Sequence, residues 1–219
     1  TFLVNVNSFF EGVVPEPDHR SLCNDWSDVD LHAHVILSKQ YERPEPFRLL
    51  GAAATPNTTA SSSVIVSCPH AGRHYPEELV AAGSIGLAAL RDLEDFAVDA
   101  LLYDLRHTNI GGISSQIARA YIDMNRPEDA LDQNMFHEPV KAAKQSRKVL
   151  AGYGLLPRLT SARTPIYDKL LSAEAANQRI EFAYRPYHDK LQELLGNAKK
   201  SHGHYLLVDC HSMPATDQY

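Results

Sequence analysis

The chain has 219 residues, with 27 acidic against 21 basic side chains, a formal charge of −6 with histidines neutral, and 44% hydrophobic residues. A nucleic-acid binder that displaces counterions needs a basic surplus, and the longest basic run here is Lys199-Lys200; a membrane helix needs about 20 apolar residues in a row, and no stretch approaches that. The expectation is a soluble globular protein with one sizeable core, about 70% of the unfolded surface being buried at this length.

Residues 1 to 62 are the least legible: Phe2 to Phe10 reads as an apolar strand, a Pro- and Asp-rich stretch follows, and Ala52 to Ser63 reads as a polar loop. The first ten residues lack a basic n-region and a cleavage site, so they are not read as a signal peptide. Cys23, Cys68 and Cys210 are odd in number and widely spaced, which predicts no disulfide framework and a reducing compartment, the cytoplasm.

Val64 to Cys68 is a short β-branched run ending at Pro69-His70, the pattern of a buried strand. Leu87 to Leu105 is predicted helical, with Leu90, Leu93, Ala97, Leu101 and Leu105 on one stripe. On that helix Asp92, Asp95 and Asp99 share a sector away from the stripe, while Glu94 falls inside it. A carboxylate on an apolar face needs a metal, a cation such as Arg91, or a route to solvent.

Ile117 to Met124 is predicted as a strand stopped by Asn125-Arg126-Pro127. Leu170 to Leu195 is predicted as a helix broken at Pro186, and Tyr205 to Asp209 as a final strand running into Cys210-His211. Apolar strands alternating with helices predict an α/β fold with a mostly parallel sheet.

Two strand-like runs therefore end in histidines, His70 and His211. The carboxyl edge of an open α/β sheet is where ligands bind, and two histidines with a carboxylate are a common catalytic zinc set; each is otherwise a capping or core histidine. If extended, Arg119, Tyr121 and Asp123 share a face, with Asn125 and Arg126 just beyond. Such arginines suit an acidic small molecule; the alternative is an Arg–Asp pair fixing a turn.

A structural zinc site from Cys68, Cys210, His70 and His211 is disfavoured, because Cys210 and His211 point to opposite sides of a strand. A Cys210 thiol hydrolase using the adjacent histidine fails for the same reason. His74, His107, His137, His202 and His204 are read as surface or turn residues, and His188 as either pocket-lining or solvated.

Pro69-His-Ala-Gly-Arg73, Glu94-Asp-Phe-Ala-Val-Asp99, Arg119-Ala-Tyr-Ile-Asp-Met-Asn-Arg126 and Asp209-Cys-His-Ser-Met-Pro214 resemble, in order, the motifs of the N-formylglutamate amidohydrolase (deformylase) family. That family is similar to zinc carboxypeptidases and aspartoacylases. The resemblance implies a three-layer α/β/α sandwich with a mostly parallel mixed sheet and a metal at the strand ends. It covers residues 46–219 as an amidohydrolase domain and leaves 1–45 as an N-terminal extension.

By the same resemblance His70, Asp95 and His211 are implied as ligands of zinc or another divalent metal. Asp209 stands behind a histidine, Asn125 and Arg126 hold the substrate carboxylate with Arg119 in support, and Glu94 and Asp99 are the candidate catalytic carboxylates. The implied reaction is hydrolysis of a small anionic N-acyl amino acid, N-formyl-L-glutamate to formate and L-glutamate. The sequence departs from related sites at Arg73, where carboxypeptidase-type centres have glutamate. It is also expected to lack the family's C-terminal part, with its late glutamate base. The alternative is a relative that binds an acidic ligand without turning it over.

Overall fold

The structure, a computed structural model, describes residues 44–54, 62–142 and 146–212. The strand expected at Phe2 to Phe10 and all but the last two residues of the 1–45 extension lie outside the described residues.

Four strands form one mixed sheet: β1 (Phe47–Gly51), β2 (Val64–Cys68), β3 (Gly111–Ser115) and β4 (Leu206–Asp209), in the order β1-β3-β2-β4. β2 runs parallel to both neighbours, with Ser67 opposite Asp209 in β4, and β1 closes the other side antiparallel to β3. From Ile65 onward β2 is buried residue by residue, which requires cover on both faces. Ile65 packs in the large core with Tyr187, Leu191 and Leu194, and Val66 and Cys68 face a smaller cluster with Val98 and Cys210. The α/β expectation holds, and the helices on the two faces account for it.

The helices are α1 (Glu77–Val80), α2 (Leu87–Arg91), α3 (Val98–Leu101), α4 (Arg147–Leu150), α5 (Ala173–Arg179) and α6 (Arg185–His202). Among the described residues no helix is long and apolar enough to cross a membrane.

The single helix expected over Leu87 to Leu105 is corrected to α2, a turn, α3 and a 3₁₀ turn at Tyr103–His107. The amide of Asp95 donates to the carbonyl of His70 at 3.0 Å instead of to the preceding helical turn, and Ala97 adopts a left-handed φ of 59°. A long-range backbone bond thus defeats local helical periodicity. With the helix goes the common sector of Asp92, Asp95 and Asp99.

The strand expected at Ile117 to Met124 is a turn; the strand lies just upstream as β3. Ala118 O accepts from the amides of Tyr121 at 2.9 Å and Ile122 at 3.4 Å. The guanidinium of buried Arg179 donates to Tyr121 O at 3.1 Å and to the Tyr167 hydroxyl at 2.7 Å, clamping the turn. A run buried on all sides shows neither period, so its type is invisible to pattern. β3 was hidden by glycine: a Cβ on Gly112 would lie 2.6 Å from Val66 O, so the close approach of β2 excludes a side chain there.

The break expected at Pro186 is absent. Helical geometry persists over 173–202, and a π turn at Ile180–Tyr184 precedes the proline. Widening the turn carries the helix past a residue with no N–H to donate. Ser172 caps the start by accepting from Ala175 N, and Gly203, at φ 76°, closes the end. Tyr187, Leu191, Leu194 and Ala198 recur at helical spacing and bury one face of α6 on the sheet side.

Candidate metal centre

Because β2 and β4 are neighbouring parallel strands, their carboxyl ends open at the same edge. His70 follows β2 after Pro69, and His211 follows β4 after Cys210, whose amide extends the ladder to Ser67 O at 2.8 Å. The two rings lie 4.7 Å apart, tilted by 52°. Asp95 reaches both from the turn after α2: its Oδ2 is 2.8 Å from His211 Nδ1 and 3.5 Å from His70 Nδ1. These three residues form a group that could hold a metal ion, with ligand atoms within 4.8 Å of one another.

Hydrogen bonds behind the rings decide which nitrogen carries a proton. Asp123 accepts from His70 Nε2 at 2.7 Å, from Asn125 N at 2.8 Å and from Arg119 Nε at 2.9 Å. Burial alone would favour its neutral acid, but His70 and the guanidiniums of Arg119 and Arg126 outweigh that and hold it well below the usual carboxylate range. As a carboxylate it only accepts, so His70 Nε2 carries hydrogen, and Nδ1 is the ring nitrogen left to face the site. That nitrogen is buried with no hydrogen-bond partner and faces the carboxylate oxygen Asp95 Oδ2 at 3.5 Å.

A cation held between His70 Nδ1 and Asp95 Oδ2, 3.5 Å apart, would satisfy both buried atoms. Donor atoms placed around tetrahedral zinc at about 2.0 to 2.1 Å stand about 3.3 Å apart. The donor set and the orphaned nitrogen therefore fit a divalent metal.

The second ring has its Nε2 3.0 Å from Asp209 Oδ2 and 3.0 Å from the Asn125 side-chain amide. Burial opposes charge on His211, yet Asp209 and Asp95 outweigh it and raise its pKa to about 9. For Asp95 burial is likewise outweighed, here by the two histidines, and its carboxyl is held well below the usual range.

The other expected site residues divide. Asn125 touches His211 and, with Arg126, Pro127 and Lys148, lines a cleft of about 330 Å³. Arg126 is fixed by bonds to Tyr153 O at 2.9 Å and Asn125 O at 2.6 Å. Arg119 is held on Asp123, the Arg–Asp pair of a turn. Glu94 and Asp99 are not among the carboxylates bonded to the histidines. Glu94 accepts from Tyr75 Oη at 2.5 Å and from Arg91 Nε at 3.0 Å; Asp99 accepts from Arg48 and Arg73. Arg73, the departure from related sites, is thus spent on Asp99.

Cys68 and Cys210 are free and buried in the smaller apolar cluster, their thiols pushed up by burial to about 12 and about 11. Neither belongs to the metal-capable group. His188 neither lines the cleft nor stands in solvent: half-buried, it contacts Met124 O at 2.9 Å and packs its ring, tilted by 43°, against Tyr184 at 4.2 Å, bracing the turn that carries Asn125 and Arg126.

Sequence reasoning gave Asp123 only the alternative of pairing with arginine in a turn, and it assigned no role to Ser67 or Tyr187. The available signal was Asp123 itself, an acid within an apolar run, which must be paired when buried.

Comparison with known proteins bears on the same region. A model of the N-formylglutamate amidohydrolase family matches residues 62–219. The chain is 27% identical over 152 residues to N-formylglutamate deformylase of Pseudomonas putida, covering 68% of this chain and 51% of that protein. Among solved structures, N-formylglutamate amidohydrolase from Ralstonia eutropha JMP134 is similar at a TM-score of 0.72 and 31% identity, over 80% of this chain and 60% of that one. A gene product of Agrobacterium tumefaciens, at a TM-score of 0.52 and 18% identity over 78% and 58% of the two chains, shares the fold. The chain spans about half the length of the curated relative and three-fifths of the first solved one. The family match takes in both histidine-bearing strand ends, Asp95 and the turn at 118–126, and on that basis the chain belongs to the N-formylglutamate amidohydrolase family.

Proposed function

We propose that the protein hydrolyses the amide bond of an N-acyl amino acid, N-formyl-L-glutamate being the substrate favoured by the family, in a reaction that needs a divalent metal held by His70, Asp95 and His211. The observation that carries this reading is the buried, unpartnered His70 Nδ1 facing Asp95 Oδ2 beside His211. A zinc ion there would supply Lewis-acid polarisation of the acyl carbonyl and a lowered pKa for attacking water.

The chain's own groups do the rest. Asp123 and Asp209 hold the imidazole tautomers, and Arg126, oriented by two backbone carbonyls, grips the substrate carboxylate in the cleft with Asn125 beside it. Glu94 and Asp99, each paired with arginine, hold charge and shape around the site rather than carry protons. With Cys68 and Cys210 buried and unpaired, the cytoplasm is the proposed compartment.

The test is formate release from N-formyl-L-glutamate by the purified chain. Turnover that chelation abolishes and zinc restores is the expected result; zinc bound with no turnover of any N-acyl amino acid would instead favour the binding relative. That second reading draws on the ion pairing of Glu94 and Asp99, which leaves no carboxylate among the described residues that both adjoins the three ligands and is free of a ring N–H.

A further inference from the structure

His211 Nε2 has two neighbours at 3.0 Å that make opposite demands. Asp209 Oδ2 accepts, and requires hydrogen on Nε2; the Asn125 side-chain amide nitrogen donates, and requires a bare Nε2 with the hydrogen moved to Nδ1. A metal at Nδ1 displaces the proton there and leaves one hydrogen on the ring, and only the first tautomer then leaves Nδ1, the atom facing Asp95, free to bind it. Something must tip this balance.

Behind Asp209 lies a hydrogen-bonded chain that the proposed reaction does not use. Ser67 Oγ donates to Asp209 Oδ1 at 2.7 Å, and Ser67 Oγ is 3.0 Å from the Tyr187 hydroxyl. A serine has one hydroxyl hydrogen, already given to the carboxylate, so the tyrosine must donate to the serine. The chain therefore has one direction: Tyr187 to Ser67 to Asp209. Both members are buried, and they come from separate elements, β2 and α6. Ser67 is also in register with Asp209 on the adjoining strand. Burial keeps the Tyr187 phenol far from ionising, so it remains a donor.

We propose that Ser67 and Tyr187 are positioning residues for the metal centre: their chain fixes one Asp209 oxygen so that the other accepts from His211 Nε2 and turns Nδ1 toward Asp95. The proposal rests on the metal reading above. Without Ser67 the carboxylate is free to rotate, and the Asn125 amide takes Nε2 in the wrong tautomer.

The test is zinc affinity of the full chain, measured by competition with a fluorescent chelator, with folding followed by circular dichroism. Ser67→Ala is expected to weaken zinc binding by roughly 10- to 100-fold, the usual effect of losing a partner behind a metal ligand. Tyr187→Phe, which keeps the ring and its packing, is expected to weaken it by roughly 3- to 10-fold, as for one buried hydrogen bond. The double variant should be no worse than Ser67→Ala alone, because Tyr187 acts through Ser67. Adding Asn125→Ala to Ser67→Ala should recover part of the affinity, a result that a packing role for the serine does not produce. Tyr187→Phe binding zinc within twofold of wild type would overturn the proposal even if Ser67→Ala fails to fold. A wild-type chain that binds no zinc would overturn the metal reading and this inference with it.

Discussion

His70 and His211 are each held from behind by an aspartate and each present Nδ1 to Asp95. Arg126 follows the same economy: two of its donors lie on carbonyls of its own turn and of Tyr153, so its direction is fixed before substrate arrives. Arg126→Ala should raise KM for N-formyl-L-glutamate by about 10- to 100-fold, the range of a charged hydrogen bond, with a smaller change in kcat. Unchanged KM with a lowered kcat would remove Arg126 from the carboxylate subsite. Glu94 gives a separate check. Its carboxylate is almost fully buried between Tyr75 and Arg91, so Tyr75→Phe should cost about 1 to 2 kcal/mol in urea unfolding while zinc affinity stays within twofold. A large loss of zinc affinity would show that Glu94 acts at the metal.

The elements carrying the site were unevenly legible. β2 and β4 were readable because β-branched or aliphatic runs stop at Pro69 and at Cys210-His211, and the histidines came with them. β3 was not, since Gly112, where the closeness of β2 leaves no room for a side chain, stands in a run of glycine and serine with little strand preference. Asp95 was found by motif, but its geometry rests on a bond to the His70 carbonyl from another part of the chain, which no local period encodes. Asp123 was obscured because a turn and a buried strand look alike when almost every residue around it is buried. Ala97 records the strain of the turn after α2. Its left-handed backbone costs a non-glycine residue about 1 kcal/mol, so Ala97→Gly should leave stability equal or raise it by up to about 1 kcal/mol. The same change at Ala176, inside α5, should lower stability by about 1 kcal/mol or more. Equal losses at both positions in urea unfolding would contradict the left-handed turn.

For the molecule as a whole, the net charge of −6 and the chemistry of the site point in different directions. The acidic excess belongs to the chain overall, while a divalent metal held by the three ligands, with Arg126 and Lys148 lining the cleft beside Asn125, would supply the positive character that the proposed anionic substrate needs. A metal held there would also stabilise the fold, because it would join β2, β4 and the turn after α2, and a ligand at 100 times its Kd stabilises by about 2.7 kcal/mol. The central claim is that His70, Asp95 and His211 share one metal ion, and zinc stoichiometry by elemental analysis on wild type, His70→Ala and His211→Ala, prepared side by side, addresses it most directly. One zinc per wild-type chain and loss of zinc from both folded variants is the predicted result; stoichiometric zinc retained in both variants would contradict the shared site.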